Sequence, residues 1–243
     1  MSWHAVAAIC DRAKSLGQPH PLRQGREAST IHSTVLSETR VRQFLQPFGL
    51  ELSSDQLNQV VVYLDLLLRW NQKINLTAIR DPEECLTRHF GESLFLAKHT
   101  ELQGTLLDIG SGAGFPGLAL KIAYPALTVT LLEPVAKKRA FLKEAARACG
   151  FSKVETRAER LQDLARISPS FSFDSATSRA VGNLQQLVPL AAHCLKPGGR
   201  IFLWLTRDQG SSLSKTSGHF SWAEPLAIPL SRAGQLLRGT KSY

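Results

Sequence analysis

The stretch Leu106-Leu107-Asp108-Ile109-Gly110-Ser111-Gly112-Ala113-Gly114-Phe115-Pro116-Gly117 sets a short apolar run and an acidic residue ahead of four glycines within eight positions. Glycine permits positive φ and offers no Cβ to a ligand, and such a turn between strand and helix is where nucleotide-like molecules dock. The run predicts a strand over 105–109 and a helix over 116–123. Two fingerprints compete for the glycines. Gly112, Gly114 and Gly117 fit G-x-G-x-x-G, the spacing of a dinucleotide site. Counted from Gly110, directly after the strand, the run is G-x-G-x-G with Asp108 ahead of it. The second frame is preferred, because the dinucleotide fingerprint starts where its strand ends and Gly112 comes too late.

Pro116 suits a first helical turn, whose free amides and positive dipole end can face a carboxylate such as the methionine part of S-adenosylmethionine. Glu133 closes the next apolar run and is placed to accept hydrogen bonds from ribose hydroxyls. Short runs of Leu, Val, Ile and Phe continue to alternate with helical stretches, which is βαβ grammar. Strands are expected over 105–109, 128–133, 153–157, 173–178 and 200–205, with helices over 116–123, 136–149 and 182–195. Two tail strands, over 223–228 and 235–240, follow a short Ser/Gly-rich link.

Upstream, the period changes to that of a helix. Ser53-Ser54-Asp55-Gln56 offers a capping box, and Leu57, Val60, Val61, Leu64, Leu67 and Leu68 recur at i, i+3, i+4, i+7. A helix is expected from about 54 to 70, then a polar break over 71–77, a second start at Asp81-Pro82 and further helix over 86–98. Residues 1–36 hold Gly17, Pro19, Pro21 and Gly25 with no sustained periodicity, and little order is expected there. The chain has one methionine, so a start at a non-methionine codon near Val35 or Leu36 is a further expectation. Mass spectrometry of the native N-terminus checks it, and Met1 there overturns it.

The chain has 243 residues, 43% of them hydrophobic, which suffices for a substantial core. No apolar run approaches the ~18 to 20 residues of a membrane span, so no membrane partner and a cytoplasmic location are expected. Cys10, Cys85, Cys149 and Cys194 lie far apart without a C-x-x-C pair, which predicts neither a metal site nor a disulfide framework. The net charge of +9 points to an anionic partner, and nucleic acid is the one expected.

With these motifs in place, the chain resembles class I S-adenosylmethionine-dependent methyltransferases, in which an acidic residue precedes G-x-G-x-G and a K-P-G-G turn, here Lys196-Pro197-Gly198-Gly199, precedes the fifth strand. More narrowly it resembles the RsmG family, also called glucose-inhibited division protein B. That match rests on Trp70-Asn71, Asn75-Leu76-Thr77, Arg80-Asp81-Pro82, Arg88-His89, Glu92-Ser93-Leu94, the glycine run, the segment 131–142, Arg157-Ala158-Glu159 and Ser178-Arg179-Ala180. It spans about 37–199, fades after Leu205 and is absent from the leader.

The resemblance implies a Rossmann-like, largely parallel seven-stranded sheet over 101–243 behind a helical cap over 37–100. It implies methyl transfer from S-adenosylmethionine, leaving S-adenosylhomocysteine, to N7 of a guanine in 16S rRNA, position 527 in the 530 loop, with the 30S subunit as partner, the protein a monomer and no metal required. Asp108, Gly110, Gly112, Gly114, Phe115, Glu133, Ala158, Glu159 and Arg179 are the expected cofactor contacts. Arg179, Ser178, Asn75 and His89 are expected at the reacting centre, and Arg88, Lys137, Lys138, Arg139, Arg157 and Arg207 on the RNA. Guanine N7 has an exposed lone pair, so its methylation needs alignment and exclusion of water rather than a general base. The Asp/Asn-Pro-Pro-Tyr/Phe motif of amino-group methyltransferases is absent, and Ser178-Arg179-Ala180-Val181 stands in its place.

Three features depart from the family. Leu205-Thr206-Arg207 replaces the usual Leu-Lys-Gly, glutamates at 92 and 133 replace aspartates, and the segment after Arg207 looks too short for the usual helix. The altered tail leaves open a ribosome-binding protein that keeps the pocket without the activity, and the Gly112 frame separately leaves open an NAD-binding oxidoreductase.

Overall fold

The apolar runs pair into a central sheet. In a computed structural model, which describes residues 36–167, 173–179, 182–214 and 218–242, the strands β1 (Thr105–Ile109), β2 (Thr128–Leu132), β3 (Val154–Arg157), β4 (Phe173–Arg179) and β5 (Leu195–Thr206) lie parallel in the order β3-β2-β1-β4-β5. The expectations for the leader before Leu36 fall outside the described residues. The tail adds β6 (Phe220–Trp222), β7 (Leu226–Ala227) and β8 (Gly234–Lys241). β8 runs antiparallel beside β5, and β6 and β7 both pair with β8.

Among the described residues this makes eight strands where seven were expected. The expected run over 223–228 is cut to Leu226–Ala227, because Pro225 and Pro229 lack the N–H a ladder needs and bracket the two-residue strand, and β6 forms ahead of it. β5 begins five residues before the expected 200, at Leu195. Its Lys196–Gly199 segment bulges out opposite Asp174, between the pairs Phe173 with Leu195 and Ser175 with Arg200.

Two helices were not anticipated. They are α7 (Leu161–Ile167) and α9 (Arg207–Ser214); the others are α1 (Glu38–Leu45), α2 (Ser54–Asn71), α3 (Pro82–Cys85), α4 (Glu92–Leu94), α5 (Gly117–Ala123), α6 (Ala136–Ala148) and α8 (Leu184–Cys194). A π turn, Leu86–Gly91, joins α3 to α4. α9 corrects the expectation of a tail too short for a helix, and Thr206 is the reason. Its Oγ1 accepts from Gln209 N at 3.4 Å while Gln209 Oε1 accepts from Thr206 N at 3.0 Å, so the residue that replaces the family's lysine caps the helix.

Side chains alternate across the sheet, and two cores result. Leu106, Val129, Leu131, Phe202 and Trp204 face a cluster shared with α1, α2, α5 and α6, so the cap and the sheet bury their apolar stripes against one another. Leu107, Ile109, Leu132, Ile201 and Leu203 face the other cluster, with α7 and α8. α2 starts at the reciprocal Ser53–Gln56 capping box, and of its expected stripe Leu57, Val60, Leu64 and Leu67 are buried and Val61 and Leu68 half-buried, while Tyr63 and Leu66 join the buried face.

At the end of α2 the buried Asn71 organises the loop that follows. Its Nδ2 donates to the carbonyls of Thr77 and Ile79 at 2.9 and 3.1 Å, and its Oδ1 accepts from Leu76 N and Thr77 N at 3.0 and 3.1 Å. Alanine there removes all four bonds and leaves backbone groups to find water. Asn71→Ala is expected to lower the unfolding free energy by about 2 kcal/mol in urea titration. A loss of only a few tenths would mean that the loop holds its own shape.

Candidate active site

Strand order reverses between β1 and β4, and in open α/β sheets ligands bind in the crevice beyond the carboxyl ends of such strands. The glycine run turns there. Gly110, Gly112 and Gly114 have φ of +72°, +56° and +87°. At Gly114 a Cβ would also collide with the hydroxyl of Tyr63, which donates to Ala113 O at 2.5 Å. Pro116 is the cap of α5 rather than its first helical residue.

Asp108 is wholly buried beneath this turn, and Thr177 Oγ1 donates to its Oδ1 at 2.9 Å. A Cβ at Gly117 would lie 2.6 Å from its Oδ2, so the glycine lets α5 start directly on the carboxylate. Burial raises the carboxyl to about 6, against hydrogen bonds and the Arg179 charge. Asp108, expected as a cofactor contact, thus lies beneath the loop with its carboxylate bonded to β4. Glu133, also buried, meets the loop from its other side. Its Oε2 accepts from Gly112 N at 2.9 Å and its Oε1 from Val135 N at 2.8 Å. A carboxylate has about four acceptor sites, so capacity for hydroxyl donors is left.

A cavity of about 220 Å³ opens beside Gly110, lined by Ile109, Leu132, Leu161 and Leu187 together with Glu159. It suits a flat ring with a polar edge. Arg157 holds Glu159 ionised through a 2.6 Å ion pair. Ala158, expected beside Glu159, is exposed and does not line this cavity. Leu161 and Leu187 were missed by the sequence reading; the signal was the apolar spacing of Leu161, Leu164 and Ala165 and the apolar face of α8.

At the end of β4 the Arg179 side chain ties the strand to the cap. Its Nη2 donates to His89 Nδ1 at 2.8 Å, its Nη1 donates to Arg88 O at 2.9 Å and lies 3.9 Å from Glu92 Oε2. An arginine can only donate, so His89 Nδ1 accepts, and Nε2 carries the proton toward Thr77 Oγ1 at 2.8 Å. Burial first, then Arg179 and Arg88, push the imidazole down to about 3. His89 is therefore neutral at physiological pH with both nitrogens engaged, which suits holding Arg179 rather than moving a proton. Arg88 and His89 both leave the π turn, a local widening of the helix common at functional sites.

Other expected site residues have structural duties. Phe115 is stacked between Tyr63, at 5.2 Å, and His89, at 4.9 Å, so both ring faces are covered within the core. Ser178, expected at the reacting centre, is buried and donates to Ile109 O at 3.1 Å, tying β4 to β1. Of the residues expected on RNA, Arg139 donates from Nη1 to the carbonyls of Glu133 and Pro134, and Arg157 is paired with Glu159 and Glu155. Arg88 pairs with Glu92 at 3.0 Å, and Arg207 is exposed at the start of α9, lining neither cavity described here. Lys137 and Lys138 do come together with Asn75 around a second cavity.

An antiparallel β8 between β5 and β6 departs from the dinucleotide-binding order, in which the sixth strand follows the fifth. Residues 56–229 match the family GidB, described as rRNA small subunit methyltransferase G. The chain belongs to this GidB family. It is 39% identical over 191 residues to a ribosomal RNA small subunit methyltransferase G of Chloroflexus aggregans, covering 75% of this chain and 80% of that one. Another of that name, from Syntrophotalea carbinolica, is 34% identical over 204 residues and covers 84% and 94%.

Among solved structures, a ribosomal protein L11 methylase from Lactobacillus delbrueckii subsp. bulgaricus superimposes with a TM-score of 0.54 at 14% identity, covering 65% of this chain and 80% of that one. A fibrillarin/Nop5p complex gives 0.52 at 15%, covering 63% and 82%. At such identities these likenesses show the fold alone, that of a class I methyltransferase. The GidB match and β8 set aside the oxidoreductase reading taken from the Gly112 frame. Within the family pattern, glutamate at 92 still reaches Arg179, and glutamate at 133 still reaches the glycine loop.

Proposed function

We propose that this chain methylates N7 of a guanine in 16S rRNA with S-adenosylmethionine, working in the cytoplasm as a monomer on the small ribosomal subunit. The observation that carries this reading is the state of His89. It is the imidazole nearest Arg179, and its one acceptor nitrogen is already bonded to that arginine. Such a site offers alignment and no imidazole base. Guanine N7 needs no proton removed, whereas an exocyclic amine must lose one. By resemblance the guanine is position 527 in the 530 loop.

The residues at the switch point fit the cofactor. Glu133 has acceptor capacity for ribose hydroxyls, the apolar cavity beside Gly110 takes the adenine, and Glu159 offers its edge an acceptor. When bound, S-adenosylmethionine supplies an electrophilic methyl on a sulfonium. The protein's part is to fix the glycine loop through Glu133 above the buried Asp108, to exclude water with the Phe115 stack, and to present Arg179 at the end of β4.

The test incubates the protein with methyl-labelled cofactor and 30S subunits from a strain lacking the methyltransferase, then cleaves the RNA chemically at N7-methylguanine. One labelled cleavage site in 16S rRNA is expected. Retained binding to the subunit with no label would favour a ribosome-binding protein without activity, and label at another atom would overturn the N7 assignment.

A further inference from the structure

Two cavities flank the turn that joins β2 to α6. Pro134 lines the apolar one, and its neighbour Val135 lines the other, of about 330 Å³, between the loop after α2 and the start of α6. Lys73, Arg80, Lys137 and Lys138 line this second cavity with the amides of Gln72 and Asn75, and no carboxylate lines it. Arg88, Arg157 and Arg179 each have a carboxylate within 4 Å, but these four cations have none among the described residues. Their charge is therefore open to an external anion.

The cavity is also preorganised. Asn71 fixes the loop through four hydrogen bonds, and Arg80 is held by Asn71 O at 3.0 Å and Asn75 Oδ1 at 3.4 Å. α6 starts there without a side-chain cap, which adds the positive end of a 13-residue helix to the four side chains. Val135 is 47% exposed, and Ile74 lines the cavity with it, so the cavity offers apolar surface beside its cations. Cations beside apolar surface and amide groups suit a nucleotide better than a bare phosphate, since each part of a nucleotide then meets its own partner.

We infer that this cavity seats one nucleotide of the RNA strand next to the target guanine, its phosphate against Lys73, Arg80 and Lys137 and its base against Val135. The inference rests on the reading of the chain as an RNA methyltransferase. It adds Lys73 and Arg80 to the RNA surface and gives Asn75 a part in holding RNA rather than in the chemistry.

The test compares the Lys73→Ala/Lys137→Ala double variant with the full chain, using a fluorescein-labelled single-stranded oligoribonucleotide across a salt series. Both lysines are exposed, and the thermal melt is expected to be unchanged. RNA affinity should fall roughly tenfold, and the salt slope should become shallower by about 0.7, the share of the one phosphate that is no longer neutralised. The KM for 30S subunits should rise while affinity for S-adenosylhomocysteine stays the same. Lys143→Ala, farther along α6, should change none of these values. An unchanged salt slope overturns the inference, and so does a parallel loss of S-adenosylhomocysteine affinity, which would assign the cavity to the cofactor. If the double variant shows the expected RNA defect but the wild type leaves no methyl on N7, the seat stands and the proposed reaction falls. If N7 is labelled and the salt slope is unchanged, the reaction stands and the seat falls.

Discussion

Arg179→Ala is expected to reduce methyl transfer by roughly three orders of magnitude in kcat/KM, about 4 kcal/mol of lost transition-state stabilisation. The guanidinium donates to two acceptors of the cap, His89 Nδ1 and Arg88 O, and lies 3.9 Å from the Glu92 carboxylate and 5.6 Å from the centroid of Phe115. Alanine would leave the half-buried Glu92 with Arg88 as its remaining cation, and would free the π turn from the end of β4. The loss should fall on kcat more than on cofactor affinity, because the cavity beside Gly110 is built from other residues. Arg179→Lys should recover only part of the rate, since an ammonium cannot reproduce a fork that reaches two acceptors on different atoms. Single-turnover kinetics with labelled cofactor measure this directly, and an unchanged rate for the alanine variant would remove Arg179 from the site.

How far the sequence could be read depended on how local each constraint is. The Gly110 frame, the Ser53–Gln56 box and the Asp81-Pro82 start are set by sterics and hydrogen bonds within a few residues, and all three appear where the spacing put them. The α9 start has the same kind of signature, Thr206-x-x-Gln209, but was read only as a departure from the family. Phe115 and Ser178 have packing and strand-pairing duties that the spacing does not reveal, for a different reason. An aromatic after a glycine run can face a ligand or the core, and what decides here is Tyr63, 52 positions earlier, stacked flat on the ring. β4 is buried on both faces, so apolar alternation could not tell which way Ser178 points; its hydroxyl finds a carbonyl of β1. Nor could charge counting separate Arg139 and Arg157, which are committed to neighbouring groups, from Lys73 and Lys137, which lack a carboxylate partner among the described residues.

Acid should weaken the fold through His89, with the largest single stability change anticipated for this chain. Its folded pKa, about 3, lies below the ordinary 6.5, so the fold favours the neutral ring. The contribution is then fully present above pH 6.5 and is lost as pH falls from 6.5 toward 3, reaching about 5 kcal/mol at the bottom of that window. Protonation would put a proton on Nδ1, where Arg179 already donates, and set two cations face to face. Asp108 works in the opposite sense. Its folded pKa, about 6, lies above the ordinary 3.8, so its contribution is complete below pH 3.8 and is lost as pH rises through 6. Between those values the two slopes, each about 1.4 kcal/mol per pH unit, nearly cancel in the wild type, and variants are needed to separate them. The stability advantage of wild type over His89→Asn, from urea titration at each pH, should be flat above pH 6.5 and shrink steadily below it. Against Asp108→Asn the advantage should instead grow as pH falls from 6 to 3.8. Methyl transfer should show no histidine titration between pH 6 and 8, because the ring stays neutral throughout. If the His89→Asn difference stays flat down to pH 4, the ring is not the buried acceptor that holds Arg179.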